Sequence, residues 1–241
     1  MSSGIQNRFV EVSARIAGVA VGAGRDPASV QLVTVTKGQS ALKIGEAIHA
    51  GATILGENYP EETHRKIIEM GESGTQPVWH MIGHLQSRKI KFIVDHFAMI
   101  HSIDTPEIAL ELAAKLQAAG RQMPALFEVN VSGEESKHGF AAWDESLWPA
   151  LVDRFIALQN ETSSLHFMGL MTMPPYADVP ETSRPYFARC RKLLEFYQQR
   201  TGPGSFAQLS MGTSLDYEVA IAEGATFVRI GEAIMGPRVY S

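Results

Sequence analysis

The feature that most constrains this chain is an alternation repeated eight times. A short apolar run rich in β-branched residues gives way to a polar loop, a helical stretch and a Gly or Pro stop. The runs cover residues 31–36, 53–55, 78–82, 97–101, 125–131, 165–169, 206–209 and 226–230. Most are near-continuously apolar, which is how strands buried on both faces of a parallel sheet read. Ahead of them, Ile5, Phe9, Val12, Ile16 and Val19 recur at helical spacing, so an amphipathic helix precedes the first strand and ends in the turn at 22–27.

The helices between the runs carry their own punctuation. In Thr105-Pro106-Glu107 a capping Thr stands before Pro at the first helical position, Leu112 and Leu116 share a face, and Gly120 follows the last turn. Ser40 opens a helix closed near Gly51, and Thr213-Ser214-Leu215-Asp216 resembles a capping box before a helix stopped at Gly224. Segments 71–76, 174–180 and 202–204 read as surface loops, and no linker or shift of composition divides the chain. The expectation is a single domain over residues 1–241. Its fold is α/β, a (β/α)8 TIM-type barrel with an extra N-terminal helix. An open doubly wound sheet would give the same alternation, but no Gly-x-Gly-x-x-Gly follows any of the runs.

Composition matters here for what it excludes. With 45% hydrophobic and 20% charged residues the chain is too apolar for a disordered protein and too polar for a membrane one. A formal charge of −5 without a basic stretch argues against nucleic acid and for small ligands. No run approaches the roughly 20 apolar residues of a membrane span, and Met1-Ser-Ser-Gly-Ile-Gln-Asn-Arg has no signal-peptide core. The reading is therefore a cytoplasmic protein with no membrane partner. Its single cysteine, Cys190, has no neighbour at metal-ligand spacing and reads as helix packing, so no metal site is expected.

In such a barrel, functional groups come from the C-terminal ends of strands and the loops beyond them. That filter selects Lys37, Glu57 with Asn58, His80 with Gly83, Ser102 with Asp104, residues 130–137, residues 171–173, residues 210–214 and Arg229-Ile230-Gly231. Lys37 ends the apolar strand Leu32-Val33-Thr34-Val35-Thr36. Desolvation at the mouth would favour its neutral, nucleophilic amine, although a lysine that snorkels to water fits the same spacing. Leu209-Ser210-Met211-Gly212-Thr213-Ser214 and Arg229-Ile230-Gly231-Glu232 each run a strand into a helix through glycine. Together they offer backbone N–H groups to a phosphate, or serve merely as tight turns. His80 reads as a hydrogen-bonded core histidine before it reads as a base. The methionines of Met168-Gly169-Leu170-Met171-Thr172-Met173 are explained by packing. Lys137 lies in a solvated loop that returns to the mouth.

At these residues the sequence resembles the pyridoxal phosphate homeostasis proteins, which look like the N-terminal barrel of alanine racemase standing alone. The resemblance rests on Val33-Thr34-Val35-Thr36-Lys37, Gly56-Glu57-Asn58-Tyr59, Trp79-His80-Met81-Ile82-Gly83-His84-Leu85-Gln86, His101-Ser102-Ile103-Asp104 and Ser136-Lys137-His138-Gly139-Phe140. It continues through Gly169-Leu170-Met171-Thr172, Leu209-Ser210-Met211-Gly212 and Val228-Arg229-Ile230-Gly231, so it spans nearly the whole chain. It implies pyridoxal 5′-phosphate as cofactor, held as a Schiff base on Lys37. The phosphate would lie on Ser210, Gly212, Thr213 and Ser214 with the backbone of Ile230 and Gly231, Arg229 would face the pyridine nitrogen, Asn58 would sit beside the ring, and His80 would line the wall. The chain departs from the family where Gly38-Gln39-Ser40 replaces a proline after the lysine, and where Thr213 replaces a methionine after Ser-Met-Gly. Those departures concern the rim of the pocket, not the imine.

The resemblance further implies a carrier that buffers pyridoxal phosphate and supplies apo-enzymes through transient contacts, with little or no racemase activity and no catalytic residue. Two-base racemisation needs a second base that alanine racemase draws from a C-terminal β domain, which 241 residues are too few to contain. The reading also takes the chain for a monomer. Two rivals remain at this point: a small racemase in which His80 or Lys137 replaces that base, and a Schiff-base aldolase using Lys37 on a sugar phosphate.

Overall fold

The computed structural model describes residues 4–71, 77–202, 204 and 206–237. The loops expected at 71–76 and 202–204 thus fall largely or partly outside the described residues. Helix α1 (Gly4–Gly22) precedes β1 (Gln31–Val35), and the chain then alternates through α2 (Ala41–His49), β2 (Ile54–Glu57), α3 (Pro60–Met70), β3 (Val78–Met81), α4 (Ile90–His96), β4 (Met99–Ile103), α5 (Pro106–Ala118) and β5 (Met123–Asn130). After a two-residue strand β6 (Phe140–Ala141) come α6 (Trp148–Glu161), β7 (Leu165–Met171), α7 (Arg184–Thr201), β8 (Gln208–Ser210), α8 (Tyr217–Ala222), β9 (Phe227–Ile230) and α9 (Glu232–Met235).

Eight of these strands pair in parallel in the order β4-β3-β2-β1-β9-β8-β7-β5, and β4 closes on β5, so the barrel expected from the alternation is complete. Strand β6 hangs on the outer end of β5, where no strand was expected. The capping signals act as their chemistry requires. Thr105 accepts from the Ile108 N–H with Pro106 in the first turn, and Ser40 accepts from Lys43. At 213–216 only half of a capping box forms. Asp216 Oδ1 accepts from the Thr213 N–H at 2.7 Å, and α8 starts after the aspartate, so Thr213 and Ser214 stay in the turn.

Period-two alternation along each strand separates two cores. The larger lies between strands and helices and includes Leu55, Trp79, Met81, Phe127, Leu209 and, on α7, the fully buried Cys190. The smaller plugs the barrel interior with Val33, Met99, Leu126, Met171 and Phe227. Two residues further along the same strands, the inward positions become polar: His101 above Met99, Glu128 above Leu126 and Arg229 above Phe227, all buried. Counting on by twos from Val33 through Val35 places Lys37 on the inner face of β1's end, at the mouth.

Helix α1 rests on α2, α8 and α9, burying Ile5, Val12, Ile16 and Ala20 as its sequence spacing requires. Arg8 Nε donates to the Ile234 carbonyl at 2.7 Å, which fixes α9 beneath the end of β9. Among the described residues no helix is long and apolar enough to cross a membrane.

Candidate functional site

The mouth divides by strand order. Neighbours β1, β9 and β8 bring Lys37, Arg229 with Gly231, and Ser210 through Ser214 to one side, and β2 adds Asn58 beside them. Lys37 is half-buried and lines a cavity of about 310 Å³ with Val35, Gln39, Gly231, Glu232, Gly236 and Pro237, which lies at the small end of ligand-pocket sizes.

The backbone on each side of Lys37 is braced from α3. Thr36 gives its carbonyl to Lys66 Nζ at 2.8 Å, and the Gly38 N–H donates to Glu62 Oε1 at 2.8 Å. Lys66, almost wholly buried, also holds Glu57 Oε1 and Glu62 Oε1 at 2.6 Å each, while the Thr36 hydroxyl donates to Glu57. Burial pushes the Glu57 carboxyl up, and the Lys66 ammonium pulls it back toward ionisation. Gly38 itself could not be proline, since it sits at φ +69 and donates its N–H.

Two loops form the next wall. Ser214 Oγ accepts from the Ala233 N–H at 3.3 Å, tying the loop after β8 to the turn that opens α9 at Gly231. Gly212 stands at φ +90, where a Cβ would lie 2.6 Å from that of Ala220, so the Ser210–Ser214 backbone packs directly on α8. The main chain of β9 locks onto this loop as the Arg229 N–H donates to the Gly212 carbonyl. Ile230 is buried beneath it.

Below the mouth a polar chain crosses the barrel. Arg229 donates through its two terminal nitrogens to Ser210 Oγ at 2.6 Å and to the Thr172 carbonyl at 2.9 Å. The Ser210 hydroxyl, accepting from the guanidinium, also shares a hydrogen bond with His101 Nδ1 at 2.8 Å. His101 Nε2 in turn shares a hydrogen bond with His80 Nδ1 at 3.0 Å, one neutral ring donating and the other accepting. Burial lowers His80 to about 4, and burial followed by the charges of His80 and Arg229 lowers His101 well below the usual range, so both rings are neutral at pH 7. Burial also brings Arg229 down to about 10, opposed by the Glu128 charge. Glu128 itself is pushed up to about 7, first by burial and then by Asp104.

The structure therefore brings together Lys37, Thr213, Ser214, Ile230 and Gly231 around the cavity and its adjoining loops, with Gly212 underneath. It sets Ser210 deeper than an anion-binding loop position, between Arg229 and His101. His80 is the hydrogen-bonded core histidine that its place inside β3 suggested. Sequence reasoning passed over His101 and Glu128, because β4 runs two residues further than its apolar run and inward positions inside a strand carry no loop signal. It passed over Lys66 and Glu62 too, although Glu62-x-x-x-Lys66 is the (i, i+4) spacing of a helical ion pair.

Over residues 25–239 the sequence matches the family described as alanine racemase, N-terminal domain. It is 40% identical to the pyridoxal phosphate homeostasis protein of Pseudomonas aeruginosa, covering 99% of this chain and 97% of that protein. The chain belongs to the pyridoxal phosphate homeostasis protein family. The Escherichia coli K12 member is 36% identical, with 98% of each chain covered. PipY of Synechococcus elongatus superposes with a TM-score of 0.83 without PLP at 29% identity, covering 96% of this chain and all of that one. With PLP bound the same protein gives 0.75 at 30% identity, over 92% of this chain and all of that one. Alanine racemase of Streptomyces lavendulae, at 20% identity and a TM-score of 0.67, shares the fold over 95% of this chain and 60% of its own. Both the family and the barrel expected from the motifs are thereby found.

Proposed function

We propose that this protein holds pyridoxal 5′-phosphate on Lys37 and hands it to apo-enzymes in the cytoplasm, working as a monomeric single domain with little or no racemase turnover. The observation that carries the reading is Lys37 on the wall of a cavity faced by Gly231, with the tethered Ser210–Ser214 loop alongside. Two features of the mouth fit the cofactor. Asn58 Oδ1 is buried without a hydrogen-bond partner among the described residues, which leaves it open to a donor at the mouth. At Gly231 a Cβ would come within 3.2 Å of Val35, so the missing side chain keeps the wall open. Both fit a flat ring bearing a phosphate.

When bound, the group supplies an aldehyde that condenses reversibly with an amine. Lys37 supplies that amine, and the Thr36 carbonyl and Gly38 N–H, clamped by Lys66 and Glu62, hold it in place. The Thr213 and Ser214 hydroxyls, with the backbone of Ile230 and Gly231, would bind the phosphate, the Thr213 hydroxyl turning to it from Asp216 Oδ1, to which it donates at 3.1 Å. Asn58 flanks the ring. Arg229, held by Ser210 and Thr172, would supply a donor to the ring nitrogen and so disfavour its protonation, which weakens the electron sink that carbanion chemistry needs.

The racemase rival would need a working base opposite Lys37. His80 is a poor one, since burial drops it to about 4 and its Nδ1 is already hydrogen-bonded to His101 Nε2. The deciding experiment is borohydride reduction of the purified protein followed by peptide mass mapping, with amino-acid α-proton exchange into deuterated water run in parallel. Fixation on Lys37 without exchange is the expected result. Exchange at enzymatic rates would replace the carrier by a racemase, and no fixation with added pyridoxal phosphate would remove the Lys37 assignment. Light scattering checks the monomer.

A further inference from the structure

Across the mouth from Lys37, the adjacent strands β3, β4 and β5 end in a different set of side chains. His84 follows β3, Asp104 follows β4 directly, and His138 lies on the loop beyond β5. Asp104 Oδ2 stands 2.6 Å from His84 Nδ1 and 3.9 Å from His138 Nδ1, and the two imidazoles stack with centroids 4.1 Å apart. One donor atom from each residue lies within 4.8 Å of the others, and among the described residues this is the one group of three His, Cys, Asp or Glu side chains so gathered. Donors around a tetrahedral zinc sit about 3.3–3.5 Å apart for bonds near 2.0–2.1 Å, so the stacked imidazoles would unstack and turn their donor atoms inward to join Asp104 around an ion.

The carboxylate asks for a cation. The Asp104 side chain is 2% exposed, its Oδ1 has no hydrogen-bond partner among the described residues, and its ionic contacts there are the two imidazoles alone. A second buried carboxyl, Glu128, lies close enough to feel its charge. No lysine or arginine pairs with Asp104 among the described residues, and an ion shared among the three would neutralise it. The loops bearing the histidines are fixed next to them. A Cβ on Gly83 would lie 2.6 Å from Asn58 Cα, a Cβ on Gly139 would lie 2.7 Å from the Glu128 carbonyl, and Ser102 Oγ donates to the Gly83 carbonyl at 2.6 Å. The histidine side chains, 41% and 58% exposed, leave a route in for the ion and a coordination position for water.

We propose that His84, Asp104 and His138 form a binding site for a divalent transition-metal ion, zinc by ligand type, on the β3–β4–β5 side of the barrel mouth. Two imidazoles and one carboxylate leave a fourth position open, so the bound ion accepts a small anionic or amine ligand from solvent and ties three loops together opposite Lys37.

The test uses the full-length protein, stripped of metal by a chelator and loaded with pyridoxal 5′-phosphate. It is titrated with zinc by calorimetry and with cobalt(II) by visible absorption. One equivalent of zinc and the d–d bands of a tetrahedral cobalt centre are expected. His138→Ala should weaken zinc binding on the order of a hundredfold, and His84→Ala with His138→Ala should abolish it, both without loss of the cofactor band. His96→Ala, which removes the half-buried His64–His96 pair joined at 2.6 Å, should leave zinc binding unchanged. No zinc binding by the wild type, or equal affinity in the His84/His138 double variant, overturns the proposal. So does loss of binding in His96→Ala alone.

Discussion

The two sides of the barrel mouth use the same scaffold for opposite chemistry. On the β1–β9–β8 side a lysine and an arginine face loops of glycine and hydroxyl residues, while on the β3–β4–β5 side two imidazoles surround a buried carboxylate. Between them the chain Arg229–Ser210–His101–His80 spans the interior from β9 to β3. Each side thus has a charge that a ligand of the opposite sign completes, and the neutral histidines keep the two apart. A site for an anionic aldehyde and a site for a cation fit in one barrel because strand order separates them, not because the fold differs.

The largest expected effect falls on the lysine side. Lys37→Ala should eliminate borohydride-fixed pyridoxal phosphate altogether, measured as loss of the mass increment on the intact protein, while far-UV circular dichroism stays unchanged because Lys37 is only half-buried. Retained fixation would move the amine elsewhere, with Lys137 the next candidate.

A smaller effect tests the brace beneath that lysine. Lys66→Met strands the fully buried Glu57 carboxylate and should cost about 3 kcal/mol in urea unfolding, with slower cofactor uptake. Adding Glu57→Gln should recover most of the stability but not the uptake rate, since the clamp on the Thr36 carbonyl stays broken. If the double variant takes up cofactor at the wild-type rate, the brace plays no part in placing Lys37.

Gly212→Ala should follow at about 2 kcal/mol, from the +90° φ and the 2.6 Å approach to Ala220, and should weaken cofactor binding through the same loop. A variant that loses stability and keeps its cofactor affinity would take the loop out of the site.

The crossing chain gives the subtlest signal. Glu128 rises from an ordinary 4.5 to about 7, so between those values the folded protein keeps a proton that the unfolded chain releases, and stability falls as pH rises through that window. The change should total on the order of 3 kcal/mol and flatten above pH 7, and Glu128→Gln should lack it. Paired urea midpoints at pH 5 and pH 8 for both proteins measure the difference; parallel curves would show that Glu128 is ionised across the range.

Much of this was legible beforehand, because periodicity is local. Eight apolar runs with capped helices between them announce the barrel, and the run ending at Lys37 is continuous enough to mark a strand end on the inner face. Boundaries were less legible. The β4 pattern was placed two residues early, since Phe97 is as apolar as the strand yet belongs to the turn after α4. That slip put His101 at the end of a run when it is an inward residue at mid-strand.

Sequence by itself determined the alternation, the caps, the glycine turns and the motif set that places the chain in its family, all properties of residues near one another along the chain. Tertiary structure alone decided that Ser210 serves Arg229 from inside the barrel, that Lys66 of α3 grips the backbone beside Lys37, and that His84, Asp104 and His138 meet. Those pairings span 19, 30, 20 and 34 positions, the last two counted from Asp104 to each histidine. Closing the barrel sets such distances, because only the β4–β5 pairing brings the ends of β3, β4 and β5 into one arc.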